Sequence, residues 1–133
     1  MIDHIGIKTP QFEAMVSFYR LALAPLGYAH FIRLPLALTQ GVKVGGFGNE
    51  RPHFWIEEAA VRPEPIHVAF TANSRKHVHA FFKAALKTGA QSNGDPGLRP
   101  QYHTDYYGAF VIDPDGNNVE AVCHIPHDKS PQA

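Results

Sequence analysis

The chain has one cysteine, Cys123, in 133 residues, so no intrachain disulfide can form. That fits a reducing cytoplasm as the expected location. It lacks any run of about 18 apolar residues, which excludes a helical membrane span. It also lacks an excess of charge. Twelve Lys and Arg are balanced by twelve Asp and Glu. A neutral surface argues against nucleic acid or an anionic membrane as partner. The opening "MIDHIGIKTP" has no basic flank followed by an apolar stretch, so it reads as a first strand and not as a secretion signal. What remains is an ordinary globular composition, 44% hydrophobic and 18% charged. A chain this long can bury enough surface to fold as one domain without a structural metal.

The chain resembles itself. "DHIGIKTPQFEAMVSFYRLALAPLGY" and "IHVAFTANSRKHVHAFFKAALKTGAQ" align with a shift of 63 residues. The shift lays His4 on His67, Phe18 on Phe81 and Ala22 on Ala85. Continued without a gap, it lays Gly45 on Gly108, Phe47 on Phe110 and Glu57 on Glu120. Each copy begins with a strand, Ile2 to Lys8 and Ile66 to Thr71. A helix follows each. Phe12, Met15, Val16, Tyr19 and Leu23 form an apolar stripe at helical spacing, as do Val78, Phe81, Phe82, Ala85 and Leu86. Asn73 or Ser74 suits the start of the second helix and Gly89 its end. Three extended segments complete each copy: Tyr28 to Leu34, Val42 to Phe47 and His53 to Glu57, then a weak one near Gln91, Tyr106 to Ile112, and Asn118 to Cys123. "DPDGN" before the last strand is a turn: Pro114 presets φ, Gly116 accepts positive φ, and Asp113 can bond the backbone ahead. The expected class is α+β, with two βαβββ modules at about 1–60 and 64–124 and a polar tail over 125–133. Asn93 to Asp105 is the least regular stretch, where function tends to reside.

His4 and His67 lie in the first strands of the two copies, and Glu57 and Glu120 in the last. Singly, a strand histidine is usually packed, and a glutamate beside a turn usually faces water. Four ligand-type residues at matched positions of a repeat carry more. Brought together by pseudo-symmetry, they would bind a divalent ion such as Zn, Ni, Co, Mn or Fe. Glu58 beside Glu57 leaves the fourth ligand open, because a one-residue slip exchanges their faces. Arg99, Tyr102, His103 and Tyr106 cluster around the irregular loop. An arginine there can clamp an anion and tyrosines can donate to an oxyanion, although loop packing explains the aromatics equally well. His103 stands out, because imidazole is the side chain suited to carrying protons near neutral pH. Phe47 and Trp55 are candidate substrate walls. His77 and His79 read as surface residues, His124 as part of the tail, and Cys123 as buried.

"DHIGI", "FYRLALAPLGY", "IHVAF" and above all "YYGAFVIDPDGNNVEAV" resemble the vicinal oxygen chelate superfamily, which includes glyoxalase I, bleomycin-resistance proteins and extradiol dioxygenases. The resemblance covers about 1–124. It implies paired βαβββ modules forming an open cupped mixed sheet, with helices on the outer face and a metal in the cup. His4, His67 and Glu120 match the usual ligands, and Glu57 the fourth ligand of glyoxalase-I-like members. The ending "AVCH" and the stretch "GLRPQYHTDYYGAF" resemble a glyoxalase-like subgroup more than glyoxalase I itself, and no counterpart of glyoxalase I's glutathione-binding arginines, which would hold a thiol substrate, is seen. The resemblance implies a metal-dependent lyase or isomerase acting on a small substrate with vicinal oxygens, with Glu120 or Glu57 as the candidate base; His103, from its own chemistry, is the further catalytic candidate. The resemblance also implies a homodimer. The rival readings are an Fe(II) extradiol-type dioxygenase and a metal-free binding or drug-resistance protein.

Overall fold

The structure is a computed structural model and describes residues 1–127. The rest of the polar tail, 128–133, lies outside the described residues. The elements run β1 (Ile5–Thr9), α1 (Phe12–Leu23), a 3-10 turn (Ala24–Leu26), β2 (His30–Arg33), β3 (Val44–Gly48) and β4 (Pro52–Glu58). The second half repeats them as β5 (His67–Thr71), α2 (Arg75–Lys87), β6 (Gln91–Leu98), β7 (Tyr107–Ile112) and β8 (Asn118–Cys123). Two four-stranded sheets result, ordered β1-β4-β3-β2 and β5-β8-β7-β6. In each, the first strand runs parallel to the last and the other pairs are antiparallel. The α+β class and the two βαβββ modules are as the sequence predicts. Among the described residues no helix is long and apolar enough to cross a membrane.

Side chains alternate across each strand, so each sheet has a helix-covered face and an open one. Ile7, Phe54 and Ile56 of the first sheet and Phe70, Val119 and Ala121 of the second turn toward the helices. There they meet the predicted stripes, Met15, Val16, Tyr19 and Leu23 from α1 and Phe81 and Ala85 from α2. The cores of the two modules are continuous; Phe54 and Phe70 meet edge to face with ring centroids 5.3 Å apart. Ser74 caps α2, accepting a hydrogen bond from the His77 amide at 3.2 Å. Leu86, expected on the stripe, emerges to the surface. Cys123 is buried at the end of β8.

The turn "DPDGN" ties the modules together. Asp113 Oδ1 accepts from the amides of Asp115 and Asn117, both at 2.9 Å. Its Oδ2 accepts from Asn117 Nδ2 at 2.8 Å and from Tyr19 Oη of α1 at 2.6 Å. Asn117 Oδ1 accepts from the Ile66 amide of the linker, and Gln11 donates to Asp115 Oδ1. Gly116 takes φ of +89°, as the turn requires.

Burial, first, and the charge of Asp113, second, push the Tyr19 hydroxyl well above the usual phenol range. The folded chain therefore keeps a proton that the unfolded chain releases near pH 10. Tyr19 adds full stability below pH 10, and stability is expected to fall above it, by up to about 1.4 kcal/mol per pH unit. Urea unfolding between pH 8 and 11 checks this. Tyr19→Phe should flatten the alkaline slope, and an unchanged slope would exclude Tyr19 as its source.

Two expectations need correction. β6 is not a weak segment near Gln91 but eight residues long, so the irregular stretch shortens to residues 99–106. Register irregularities around Gly94 hide its alternation. The gap-free repeat also fails beyond the helices. Ile5 pairs with Phe54 as Val68 pairs with Val119, and Gly6 with Trp55 as Ala69 with Glu120. Trp55 opposes Gly46 across β3, as Glu120 opposes Phe110 across β7. The true shift is 63 residues on the first strand, 64 on the third and 65 on the last. Connections of unequal length cause the drift.

Candidate functional site

The open faces carry the candidate residues. On the second module, β8 sits between β5 and β7, with Glu120 beside Ala69 on one side and Phe110 on the other. Its side chain is only 1% exposed despite facing away from the helices. A buried carboxylate needs partners, and it has two. Oε1 lies 2.8 Å from Nε2 of His67, which is on the same face of β5. Oε2 accepts the hydroxyl proton of Tyr106. Gly108 leaves room for this pair; a Cβ there would stand 3.3 Å from both Glu120 Oε2 and the Tyr106 ring.

Tyr106 is delivered by the 99–106 loop, which closes when the Arg99 amide donates to the Tyr106 carbonyl at 2.8 Å. Burial and then the hydrogen bond to Glu120 and its charge hold the Tyr106 hydroxyl well above the usual phenol range. It therefore stays a neutral donor to the carboxylate. Tyr102, His103 and His124 surround its ring edge-on, at 4.9, 5.5 and 5.2 Å. His103 Nε2 lies 2.8 Å from His124 Nδ1. The Asp105 amide donates to His103 Nδ1 at 3.1 Å. That bond makes neutral His103 the donor to His124 and leaves the His124 proton on Nε2. His124, read from sequence as tail, joins the site because it continues the β8 face of Glu120 and Val122. Its even spacing from Glu120 is the signal that could have found it.

Arg99 lies over Phe110 at 5.3 Å, and Phe110 in turn lies near His67. Its guanidinium donates to the Gly97 and Asp95 carbonyls at 2.8 Å. An anion would have to compete with those bonds.

The first module is more open. His4, one residue ahead of β1, pairs with Asp3 at 2.7 Å and is exposed. His4 and Arg51 hold the Asp3 carboxyl below the usual range, the His4 hydrogen bond contributing most. His4 and His67 line one cleft of about 930 Å³ between the modules, with Tyr28, His53 and Phe54. Glu57 is half-exposed, 3.7 Å from Lys8. Trp55 and Glu57 share the open face, whereas Phe47 is 1% exposed in the core against Phe31 and Tyr19. As a substrate wall, Phe47 is corrected: the residue equivalent to Phe110 is Gly46, so Phe47 falls on the helix side. Within one chain, His67, Glu120 and Tyr106 come together, while His4 and Glu57 do not join them. Among the described residues, no three His, Cys, Asp or Glu side chains gather as one ion would require.

The family model of the Glyoxalase/Bleomycin resistance protein/Dioxygenase superfamily matches residues 1–121. The chain belongs to this superfamily. Solved glyoxalase-superfamily structures share its fold. A glyoxalase/bleomycin resistance protein from Albidiferax ferrireducens is 22% identical with a TM-score of 0.75, over 93% of this chain and 98% of that one. A family enzyme from Burkholderia phytofirmans is 15% identical with a TM-score of 0.68, over 93% and 98%. A glyoxalase I mutant from Zea mays is 18% identical with a TM-score of 0.67, over 91% of this chain and 46% of that longer one. No curated protein matches the chain in sequence. Superfamily members commonly use divalent metals, bind small molecules and often dimerise. The His67–Glu120 pair fits one side of such a site. A nitrogen and an oxygen 2.8 Å apart approach the roughly 3 Å separation of adjacent ligands with bonds of about 2.1 Å.

Proposed function

We propose that this glyoxalase-superfamily protein is a divalent-metal-dependent lyase or isomerase acting on a small substrate with vicinal oxygens. The observation that carries the reading is the buried Glu120 carboxylate held between His67 and Tyr106 on an open sheet face. His67 and Glu120 would hold the ion, and His4 would supply the third donor from a second copy of the chain. The exposure of His4 and its separation from the pair within one chain support that arrangement. A homodimer with shared cups follows.

When bound, the ion would supply Lewis acidity toward negative charge developing on the substrate oxygens. Glu120 would take a proton from substrate carbon. Tyr106, a neutral donor, orients the carboxylate. The His103–His124 pair packs against the Tyr106 ring and braces it over the carboxylate. The aromatic loop over Glu120 keeps water away from it.

A dioxygenase reading has one observation in its favour: no second carboxylate stands at the first-module position equivalent to Glu120. Metal uptake tests the shared premise. Protein dialysed against Zn, Ni, Mn or Fe(II) should retain one ion per cup, and His4→Ala with His67→Ala should lose it. Unchanged metal content in the double variant refutes the metal reading. No uptake by the native chain would favour metal-free ligand binding. Oxygen consumption by the Fe(II) form with a catechol would favour the dioxygenase.

A further inference from the structure

Trp55 occupies in the first module the position that Glu120 holds in the second. Both lie beside the residue two beyond a histidine: Gly6 after His4, and Ala69 after His67. Across the hairpin the sizes are exchanged. Glu120 opposes the bulky Phe110, and Trp55 opposes Gly46. The indole rests on that glycine, since a Cβ at Gly46 would come within 2.8 Å of Trp55 Cε3 and Cζ3. Held from behind, the half-buried ring lines a cavity of about 380 Å³ with His4, Leu34, Val44 and Glu57. Glu57 lies two residues further along β4, about 7 Å away, and is engaged with Lys8. His67 and Glu120 meet across one such two-residue offset, the offset of Trp55 from His4, whereas Glu57 stands twice as far along the strand from His4.

We infer that the first module contributes one metal donor and a stacking surface. Trp55 stands in place of a fourth protein ligand, and its indole receives the flat face of a planar, conjugated substrate whose vicinal oxygens point toward His4. Glu57 is not a ligand. The inference rests on the metal reading for the donor count, and on Trp55 alone for the stacking. A ring already fixed against Gly46 loses little freedom when a planar ligand stacks on it. Only three protein donors also leave room on the ion for both substrate oxygens.

Trp55 is the chain's only tryptophan, so its emission reports on the cup without interference. The probe is 4-nitrocatechol, which is planar, carries vicinal oxygens and absorbs where indole emits. It should quench Trp55, with free N-acetyltryptophanamide as control for absorbed light. Absorbance titration should show that Trp55→Phe keeps its binding and Trp55→Ala weakens it by roughly tenfold or more. Unchanged binding in Trp55→Ala overturns the stacking role. In calorimetric titration with Ni2+, Glu57→Gln should stay within about twofold of native, while Glu120→Gln weakens binding by about a hundredfold. Trp55→Glu recreates the His67–Glu120 geometry beside His4 and should tighten Ni2+ binding about tenfold. A loss in Glu57→Gln equal to that in Glu120→Gln overturns the inference. So does unchanged or weaker binding in Trp55→Glu whose circular dichroism is native. A native chain that binds no Ni2+ defeats the metal reading, while the nitrocatechol arm still judges Trp55.

Discussion

Asp113→Ala is expected to lower the unfolding free energy by about 3–5 kcal/mol, measured by urea unfolding at pH 7. The carboxylate is 3% exposed and accepts four hydrogen bonds, from two amides, an amide side chain and the Tyr19 hydroxyl. Alanine leaves those donors in a place too closed for water to serve them all. Each buried unpaired group costs roughly 1–3 kcal/mol, with partial relief from relaxation. Tyr19→Phe removes one donor together with its hydroxyl and should cost only about 1 kcal/mol. The two changes should be strongly non-additive, since Tyr19 has no acceptor to lose once Asp113 is gone. A loss below about 1 kcal/mol for Asp113→Ala would show that the turn does not hold the modules together.

Glu120→Gln separates the site from the fold. The amide nearly matches the carboxylate in volume, and its oxygen can still accept from Tyr106. Stability should change by no more than about 1–2 kcal/mol. Metal affinity should fall by about a hundredfold or more, because an anionic donor is replaced by a neutral one at the centre of the site. Calorimetry with Ni2+ or Zn2+ reads the second effect and urea unfolding the first. A variant that binds metal as tightly as the native chain would remove Glu120 from the ligand set. A variant that unfolds before it can be loaded would make Glu120 a structural residue. Tyr106→Phe should fall between native and Glu120→Gln, since it leaves the carboxylate free but loosely oriented.

Much of this fold is legible in the residues. The helix stripes, the Ser74 cap, the burial of Cys123 and the Asp113 turn follow from spacing and from local hydrogen-bonding chemistry. Those interactions span few residues, so sequence holds them. What sequence does not hold is the length of each connection in three dimensions. The repeat is in phase through the first strand and helix, then drifts by one residue and by one again. The first drift moves Phe47 to the helix side and puts Gly46 in its place. The second brings Trp55 level with Glu120. A strand's period of two makes each such step decisive, yet no single residue announces it. His124 is similar. Its neighbours in sequence look like a tail, but its strand parity continues the face of Glu120. The two glutamates show both sides of the difficulty. Glu120 lies beside a strong turn that sets its register, whereas Glu57 follows "GNERP", a weaker one.

Cys123 turns β8 into a clock. It is the chain's one thiol, fully buried, three residues from Glu120 on a strand paired along both edges. Its side chain lies on the helix-covered face, against Val78 of α2 and Ala109 of β7, so each alkylation counts one opening that parts this strand from the helix behind it. At low reagent concentration the labelling rate follows how often that strand is open, and at high concentration it saturates at the rate of opening itself. A single sulfur thus times the motion of that strand from the face opposite Glu120, without any label being engineered into the chain.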